Sequence, residues 1–444
     1  MIQTAFARRG IRAEIYMYMD DLTICVHSTD ANDATRETIA AFQSIGLKIN
    51  EDKSKVLTDA AGSYLLPQVH HTSEFVILGA NIATGPNAYD AFIKRLIKRQ
   101  ENYFELLDKT PLHPQIKATI LRICGHPRIL YHCATTPPRY MAKVADYFDS
   151  MVIRLYEFMI DASGRTKIPA DIAHDVGGLG VPHYSANLNE IFGAFERMSL
   201  EDDPSVPRVS LTTTSLDTTT TQAQVDSQWM FYEAADQLTP AQFCNALGIR
   251  LNIIPRHLQL ISLKCNCGHL YTSHDDESLH HVFTCGKATP NGFTYRHNLV
   301  RDTIINVARD FGITTSREPT CYTYSSGLRQ RPDVLFHTEP NGIAIDVSLI
   351  SVTHVTDDIQ EAEKKKTTTH RDAVQNANHV FFPFVMATRG TLGSGAEKLI
   401  RTLARAVQPY QQRAFSRRLH HAVAVAAAKG RSDALAAIQR QQMW

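Results

Sequence analysis

The sequence has 444 residues, which is too long for one ordinary domain, so we expect about two to four domains. A hydrophobic fraction of 43% and a charged fraction of 20% are typical of a globular protein, and the net charge of +1 excludes nucleic-acid binding through overall positive charge. Eight cysteines, of which three fall within 265–285, exclude a secreted disulfide scaffold and favour a reducing compartment with one metal cluster.

The first predicted elements are two short strands within residues 13–28. The run IYMYMDDLTICV (15–26) is apolar, β-branched and aromatic except for Asp20 and Asp21, which lie between the strands. Two carboxylates in an apolar run are costly unless a metal ion or a tight turn compensates them. Carboxylates on such a hairpin would hold the two divalent cations with which polymerases join nucleotides, and an exposed β-turn is the alternative.

Helical patterns dominate the next part of the chain. A helix is predicted to begin near residue 35 and to end at Gly46, and the segment 73–82 is predicted as a strand. Further helices are predicted over 91–158, with breaks at KTPLHP, GHPR and TTPPR. Between residues 94 and 128, eight Lys or Arg stand against three acids, which gives this helical region a local positive charge.

The middle of the chain contains less informative sequence. Residues 169–182 are predicted as a Gly-rich turn, and helical patterning returns over 225–262. The polar, low-complexity segment LTTTSLDTTTTQAQ (211–224) cannot bury a core, so we predict a linker there.

The segment 265–285 is rich in cysteine and histidine. A Cys-x-Cys pair at a turn followed by His-x-x-x-Cys on a helix supplies the four ligands that zinc takes in a tetrahedron. We predict Cys265, Cys267, His281 and Cys285 as these ligands, with His280 as an alternative fourth ligand that spacing cannot separate from His281. The competing interpretation is buried free cysteines beside unrelated surface histidines.

A second pair of acids lies in the C-terminal part. After a helix predicted at 297–311, the segment 331–351 is predicted as two strands around TEPNG, with Asp333 at the start of the first strand and Asp346 in the middle of the second. In such a hairpin both carboxylates would converge on one metal, whereas a turn acid and a buried, hydrogen-bonded acid are the alternative. A charged helix (358–376), a strand (379–387) and a long C-terminal helix are predicted to follow.

The N-terminal motifs resemble those of reverse transcriptases. YMDD resembles the catalytic hairpin, GLKINEDKSKVL (46–57) resembles the motif that follows it, and FVILGANI (75–82) resembles the primer grip. The resemblance implies that Asp20 and Asp21 bind the catalytic metals and that Lys53 lies near the incoming nucleotide. LRICGHPRILYHCATTPPR and GGLG resemble the thumb of non-LTR retrotransposon proteins, and the local positive charge fits such a thumb.

The C-terminal motifs resemble the endonuclease region of site-specific non-LTR retrotransposons. The Cys/His segment followed by RHN (296–298) resembles their zinc module, and RPDVLF…IAIDVSLIS with FFPFVMATRGTLG resembles their restriction-enzyme-like nuclease. The resemblance implies that Asp333 and Asp346 hold Mg²⁺ (or Mn²⁺), and that Lys366 orients the attacking water or stabilises the phosphate.

Several details of the nuclease motif stay open at this point. Lys365 is the next choice for the lysine, and Glu318 is a candidate to complete the acid set. Ser348 occupies the classical lysine position and His370 stands where an aromatic residue is expected, so both are departures from the pattern. Ala362, Lys366 and His370 share one helical face, whereas Lys364 and Lys365 fit a solvated face.

The predicted fold class is therefore multi-domain α/β and α. The predicted domains are a partial reverse-transcriptase palm (1–84, α+β), a helical thumb (85–195), a linker and helical connector (196–262), a Cys/His zinc module (263–298) and a PD-(D/E)xK-like α/β nuclease with a C-terminal helix (299–444).

The resemblance implies a nuclease that nicks target DNA, so that the freed 3′ hydroxyl primes reverse transcription of element RNA. It implies DNA and RNA as partners, zinc and Mg²⁺ as cofactors, and a nuclear location; the sequence shows no membrane segment. Because only MIQTAFARRGIRAE precedes residue 15, we expect the fingers and one metal-binding Asp to be missing and the chain alone not to polymerise. The rivals are a non-catalytic nucleic-acid-binding remnant and, disfavoured by the palm motifs, a standalone nuclease.

Overall fold

The structure is a computed structural model, and it is mixed α/β, mostly helical with small sheets, over the residues that it describes. The chain divides into two compact units. The first comprises Met1–Tyr103, Leu130–Tyr147 and Asn187–Leu200, and the second comprises Phe104–Ile129, Phe148–Ala186 and Glu201–Trp444. The described residues are 1–18, 21–57, 70–84, 87, 89–160, 167–168, 173, 179, 181–200, 228–230, 237–251, 264–265, 267–271, 276–287, 292–324, 331–351, 355–387 and 390–441.

Some predicted features lie outside the described residues. They include Asp20, the linker 211–224 and most of the Gly-rich turn 169–182. The predicted domain boundaries stay predictions. Among the described residues, no helix is long and apolar enough to cross a membrane.

The N-terminal unit begins with a helix and the predicted hairpin. Helix α1 is followed by the antiparallel strands β1 and β2, in which Tyr18 pairs with Asp21, and then by helix α2. Phe6, Ile11 and Ala34 form a small buried core against the hairpin. The two predicted strands are confirmed. The bounds are α1 Ile2–Arg9, β1 Ala13–Tyr18, β2 Asp21–Val26 and α2 Ala31–Ser44.

The segment 73–82, predicted as a single strand, is a hairpin. Leu78 and Gly79 have φ of 48° and 87°, the left-handed backbone that a two-residue hairpin turn requires. A turn with this backbone reverses the chain within the apolar run, which the alternation pattern alone does not indicate. The bounds are β3 Lys55–Leu57, β4 His70–Thr72 (parallel to β3), β5 Glu74–Ile77 and β6 Ala80–Ala83 (antiparallel to β5).

The predicted helical stretch is confirmed, but one of its predicted breaks is wrong. The chain passes from α4 through a π-helical turn, Leu121–Gly125, directly into α5, so GHPR does not end the helix. Pro127 lacks an N–H to donate, and the wider π turn before it admits the proline ring without a break. The bounds are α3 Asp90–Lys109, α4 Pro114–Ile120, α5 His126–Thr135, α6 Pro138–Ile160 and α7 Tyr184–Leu200.

The second unit contains a four-stranded sheet of order β10-β9-β8-β7. Strands β7, β8 and β9 are antiparallel neighbours, whereas β10 is parallel to β9. Helix α11 connects the two parallel strands, as a parallel pair requires. The predicted hairpin, charged helix and following strand are thereby confirmed. The bounds are β7 Thr314–Arg317, β8 Val334–His337, β9 Ile343–Ile350, α11 Val355–Asn376 and β10 Val380–Ala387.

Helices cover this sheet and enclose the main core. Val300, Ile304, Phe336, Phe384 and Leu403 are fully buried in it. The predicted long C-terminal helix is confirmed, and a shorter helix that was not predicted precedes it across a short turn at Pro409, which cannot continue a helix hydrogen-bond ladder. The bounds are α8 Pro240–Arg250, α9 Asp276–Thr284, α10 Gly292–Asp310, α12 Ser394–Ala406 and α13 Gln412–Gln441.

Candidate functional site

Asp333 lies immediately before β8, where backbone bonds fix it against β9. Its N–H donates to the Ile345 carbonyl at 2.8 Å, and its Oδ2 accepts a bond from the Val347 N–H at 2.6 Å. The residue is 8% exposed. The antiparallel register therefore turns the Asp333 carboxylate towards the strand that carries the second acid.

Asp346 lies in the middle of β9 and is 6% exposed. Its Oδ2 accepts from Lys366 Nζ at 2.6 Å and from His370 Nε2 at 3.0 Å. Lys366 and His370 are four residues apart on α11, so one helical face brings both to the same carboxylate. Two positively polarised groups thus compensate an acid that the sheet buries.

A tyrosine extends this set of contacts. Tyr324 Oη lies 2.6 Å from His370 Nδ1. An ionised carboxylate only accepts hydrogen bonds, so His370 donates to Asp346 from Nε2, and its Nδ1 faces the Tyr324 hydroxyl. Burial and the nearby Asp346 raise the pKa of Tyr324 to about 12, so the hydroxyl keeps its proton at neutral pH.

The two carboxyl groups are in different electrostatic environments. Burial, together with the neighbouring Asp346, raises the pKa of Asp333, although the His297 hydrogen bond opposes this. Burial also acts to raise the pKa of Asp346, but hydrogen bonds from His370 and Lys366 outweigh it and hold the pKa below its usual range. A bound divalent cation would favour the ionised form of both acids.

The structure brings three of the predicted residues together and places Lys365 away from them. Asp333, Asp346 and Lys366 form one cluster, whereas Lys365 is exposed on another face of α11. Of the two lysines left open by the sequence, Lys366 is the one that contacts Asp346. Glu318 lies beside Asp333, since its N–H donates to the Asp333 carbonyl at 2.9 Å, but its carboxylate is 56% exposed and accepts from Arg301 Nη1 at 3.1 Å.

Two members of the cluster were missed by sequence reasoning. His297 Nε2 lies 2.9 Å from Asp333 Oδ1, and Tyr324 reaches Asp346 through His370. The motif RHN contains His297 and marks it as a residue of interest, but the motif suggests a role in the zinc module rather than a contact with Asp333. Tyr324 carried no recognisable signal because its contact spans 46 residues.

The Cys/His segment forms a separate cluster in the same unit. One ligand atom from each of Cys265, Cys267, His281 and Cys285 lies within 4.8 Å of the others. The Cys265 and Cys285 sulfurs are 3.9 Å apart, and Cys267 Sγ is 3.3 Å from His281 Nε2. Three thiols and one imidazole match the Cys₃His set of structural zinc sites, so this cluster could hold zinc.

Local structure explains how these ligands converge. The Gly268 N–H donates to the Cys265 carbonyl at 2.8 Å, which closes a tight turn at the Cys-x-Cys pair, and Gly268 has φ of 99°. His281 lies in the last turn of α9, and Cys285 directly follows that helix. The turn and the helix end thus face each other, as the spacing predicted.

The two histidines left open by the spacing differ in their contacts. His280 Nδ1 lies 2.9 Å from Ser351 Oγ, at the end of β9, whereas the neighbouring His281 faces the sulfurs. Consecutive helical residues point about 100° apart, so both cannot face the thiols. His281 is the histidine of the cluster.

The predicted polymerase residues are placed only in part. Asp21 opens β2 and is exposed, and Lys53 ends the short turn Glu51–Lys53 and is also exposed. Asp20 lies outside the described residues. The catalytic roles of these residues stay predictions.

Comparison with known proteins gives one distant relationship. No protein-family model matches the chain. An alignment of 440 residues, covering 88% of this chain, is 22% identical to the Retrotransposable element SLACS 132 kDa protein of Trypanosoma brucei gambiense. The match covers 34% of that protein, so the chain spans about a third of the length of its relative. This similarity supports a retrotransposon-related protein.

Proposed function

We propose that this chain is part of a retrotransposon reverse transcriptase protein and that its C-terminal region is a divalent-cation-dependent DNA endonuclease. The observation that carries this proposal is the buried pair of Asp333, just before β8, and Asp346, on the adjacent β9, with Lys366 Nζ 2.6 Å from Asp346. Paired carboxylates bind hard cations, and a lysine beside them supplies positive charge where a phosphate would gather negative charge.

Each residue then has a stated part in strand cleavage. Asp333 and Asp346 hold Mg²⁺ or Mn²⁺, and Lys366 stabilises charge on the scissile phosphate or orients the attacking water. A cation held by these two acids would supply Lewis-acid polarisation of the phosphodiester and would lower the pKa of a water bound to it. His370 orients Asp346, and Tyr324 fixes the tautomer of His370.

The nick leaves a 3′ hydroxyl, which we propose primes reverse transcription of element RNA. The antiparallel pairing of β1 with β2, in which Tyr18 pairs with Asp21, supports the proposal that the chain includes part of a polymerase. Target DNA and element RNA are the proposed partners, and a nuclear location follows from that substrate. The Cys/His cluster is proposed to hold one zinc as a structural site.

Nicking of supercoiled plasmid tests the nuclease. We expect full-length protein to nick with Mg²⁺ or Mn²⁺, and Asp333→Ala and Asp346→Ala to lose the activity while staying folded, because two carboxylates already make a sparse cation site. Asp372→Ala, an exposed acid on α11, is the matched control and keeps the activity. Folded protein that never nicks with either cation would overturn the proposal and favour a non-catalytic nucleic-acid-binding protein.

A further inference from the structure

His297 contacts the acid pair but has no part in the cation set predicted from the sequence. Its Nε2 lies 2.9 Å from Oδ1 of Asp333, and the imidazole is partly exposed. The other oxygen of Asp333 is taken by the Val347 N–H at 2.6 Å. Each oxygen of this carboxylate therefore receives one hydrogen bond, which fixes the plane of the group.

This arrangement leaves a lone pair on the same oxygen for a cation. A carboxylate oxygen has two lone pairs, so Oδ1 can accept from His297 and still bind a metal ion. An ionised Asp333 cannot donate, so in that state His297 makes this bond by donating from Nε2. Hydrogen-bonded supports of this kind fix the orientation of ligating groups in metal sites.

The residue before it explains how His297 is held in place. Arg296 is 5% exposed, and its Nη2 donates to the Phe283 carbonyl at 3.1 Å. Its guanidinium also lies 5.4 Å from the Phe283 ring and 5.0 Å from the Phe293 ring. A buried guanidinium needs such partners, so Arg296 anchors the first turns of α10 against α9 and thereby presents His297 to Asp333.

We propose that His297 is a positioning residue of the acid pair, donating from Nε2 to Oδ1 of Asp333 and fixing the direction in which that oxygen meets a divalent cation. This inference rests on the proposed nuclease function. On the opposite side, His370 does the same for Asp346, so each acid has its own histidine support.

The test compares two substitutions of similar size in the full-length, zinc-loaded protein. His297→Gln keeps an N–H donor at comparable reach, whereas His297→Met removes it, and both residues are good helix formers. Mn²⁺ binding is measured by titration calorimetry. The heat that is absent in Asp333→Asn is the heat of binding at the acid pair. The kcat and KM of Mg²⁺-dependent nicking are measured in parallel. His337→Met serves as the matched control, because His337 bonds Ser316 at 2.7 Å instead of an acid.

We expect His297→Met to weaken Mn²⁺ binding about 10-fold or more, the usual scale for a lost support of a metal ligand. The kcat of His297→Met should fall with little change in its KM for DNA. His297→Gln should recover most of the lost Mn²⁺ affinity and most of the lost kcat. Parental Mn²⁺ affinity in His297→Met would overturn the inference, as would a His297→Gln variant as weak as His297→Met.

The outcomes separate this inference from the nuclease proposal. If the parent binds Mn²⁺ through Asp333 but never nicks DNA, the proposed function fails. The Mn²⁺ affinities of His297→Met and His297→Gln then still decide whether His297 positions Asp333. If the parent nicks and all three histidine variants match it, only the role of His297 fails.

Discussion

At the scale of single residues, the most informative group is the carboxylate of Asp346. Lys366 and His370 both contact its Oδ2. A lysine held beside a cation site in this way can act on the substrate without itself being a metal ligand.

Substitution of Lys366 should separate catalysis from metal binding. We expect Lys366→Ala to bind Mn²⁺ and DNA but to nick about 10²-fold more slowly, the scale of removing one charge-stabilising group. Lys365→Ala, an exposed neighbour on α11, should nick at the parental rate. Initial rates of plasmid nicking check this, and a normal rate in Lys366→Ala with a slow rate in Lys365→Ala would reverse the assignment.

A buried histidine should make stability depend on pH. Burial, with a smaller effect of Arg122, lowers the pKa of His126 from its ordinary value of 6.5 to about 4. Its ring packs against Phe148 and Tyr184, and its Nδ1 lies 3.2 Å from the Tyr184 hydroxyl. The unfolded chain therefore binds an extra proton in acid, so stability is lost as pH falls from about 6.5 towards about 4.

The comparison that isolates this effect uses His126→Gln. Between pH 7 and pH 5 the parent should lose about 2 kcal/mol more unfolding free energy than the variant, by proton linkage at this one site. Urea unfolding followed at both pH values measures the difference. Equal losses in the two proteins would show that His126 is not buried as a neutral group.

At the scale of elements, a glutamate on one helix caps the start of another. Glu363 on α11 is 9% exposed; its Oε1 accepts from the Gly395 N–H at 2.7 Å and its Oε2 accepts from Ser394 Oγ at 2.9 Å. A carboxylate at a helix N-terminus satisfies free N–H groups and opposes the positive end of the helix dipole. This contact ties α12 to the helix that carries Lys366 and His370.

Removing this cap should destabilise the second unit. We expect Glu363→Ala to cost about 1–3 kcal/mol, the scale of leaving a buried donor without its partner. Glu361→Ala, an exposed acid two residues away, should change stability by less than about 0.5 kcal/mol. Hydrogen exchange of α12 and urea midpoints provide the measurement, and equal stability of the two variants would contradict the capping role.

Elements with a clear apolar or helical pattern could be predicted from the sequence, whereas elements whose ends depend on local turns could not. The apolar runs on either side of TEPNG indicate β8 and β9, and the face of α11 with Lys366 and His370 follows from helical periodicity. The β5–β6 hairpin depends on the left-handed backbone at Leu78, and the helix continues past GHPR through the π turn Leu121–Gly125; no apolar pattern records either feature. The His297–Asp333 contact joins residues 36 apart, so only the tertiary fold reveals it.

At the scale of the whole second unit, α13 joins the two candidate sites. Its first half contributes Phe415, Leu419 and Val423 to the core of the four-stranded sheet. Its second half contributes Leu435 and Ile438 to a core with Val282, Phe283 and the cysteine cluster. One long helix thus packs against both the acid-pair sheet and the Cys/His segment.

Metal removal should affect these two cores unequally. We expect one zinc per chain, lost in the double variant Cys265→Ser and Cys285→Ser and retained in Cys321→Ser, an exposed cysteine outside the cluster. Because small zinc sites supply much of the local folding energy, chelation should raise hydrogen exchange over 265–285 more than in β8 and β9. Elemental analysis and exchange mass spectrometry check this, and unchanged zinc in the double variant would show the ligand assignment wrong.

The central claim is that the acid pair uses a divalent cation to cleave one DNA strand and leave a primer end. The most direct measurement is nicking of supercoiled plasmid by the full-length protein, followed by extension of the nicked strand with a DNA polymerase. We predict nicks that need Mg²⁺ or Mn²⁺, carry extendable 3′ hydroxyls, and are lost in Asp346→Asn but retained in Asp372→Asn. Nicks that persist in Asp346→Asn, or ends that no polymerase extends, would contradict the claim.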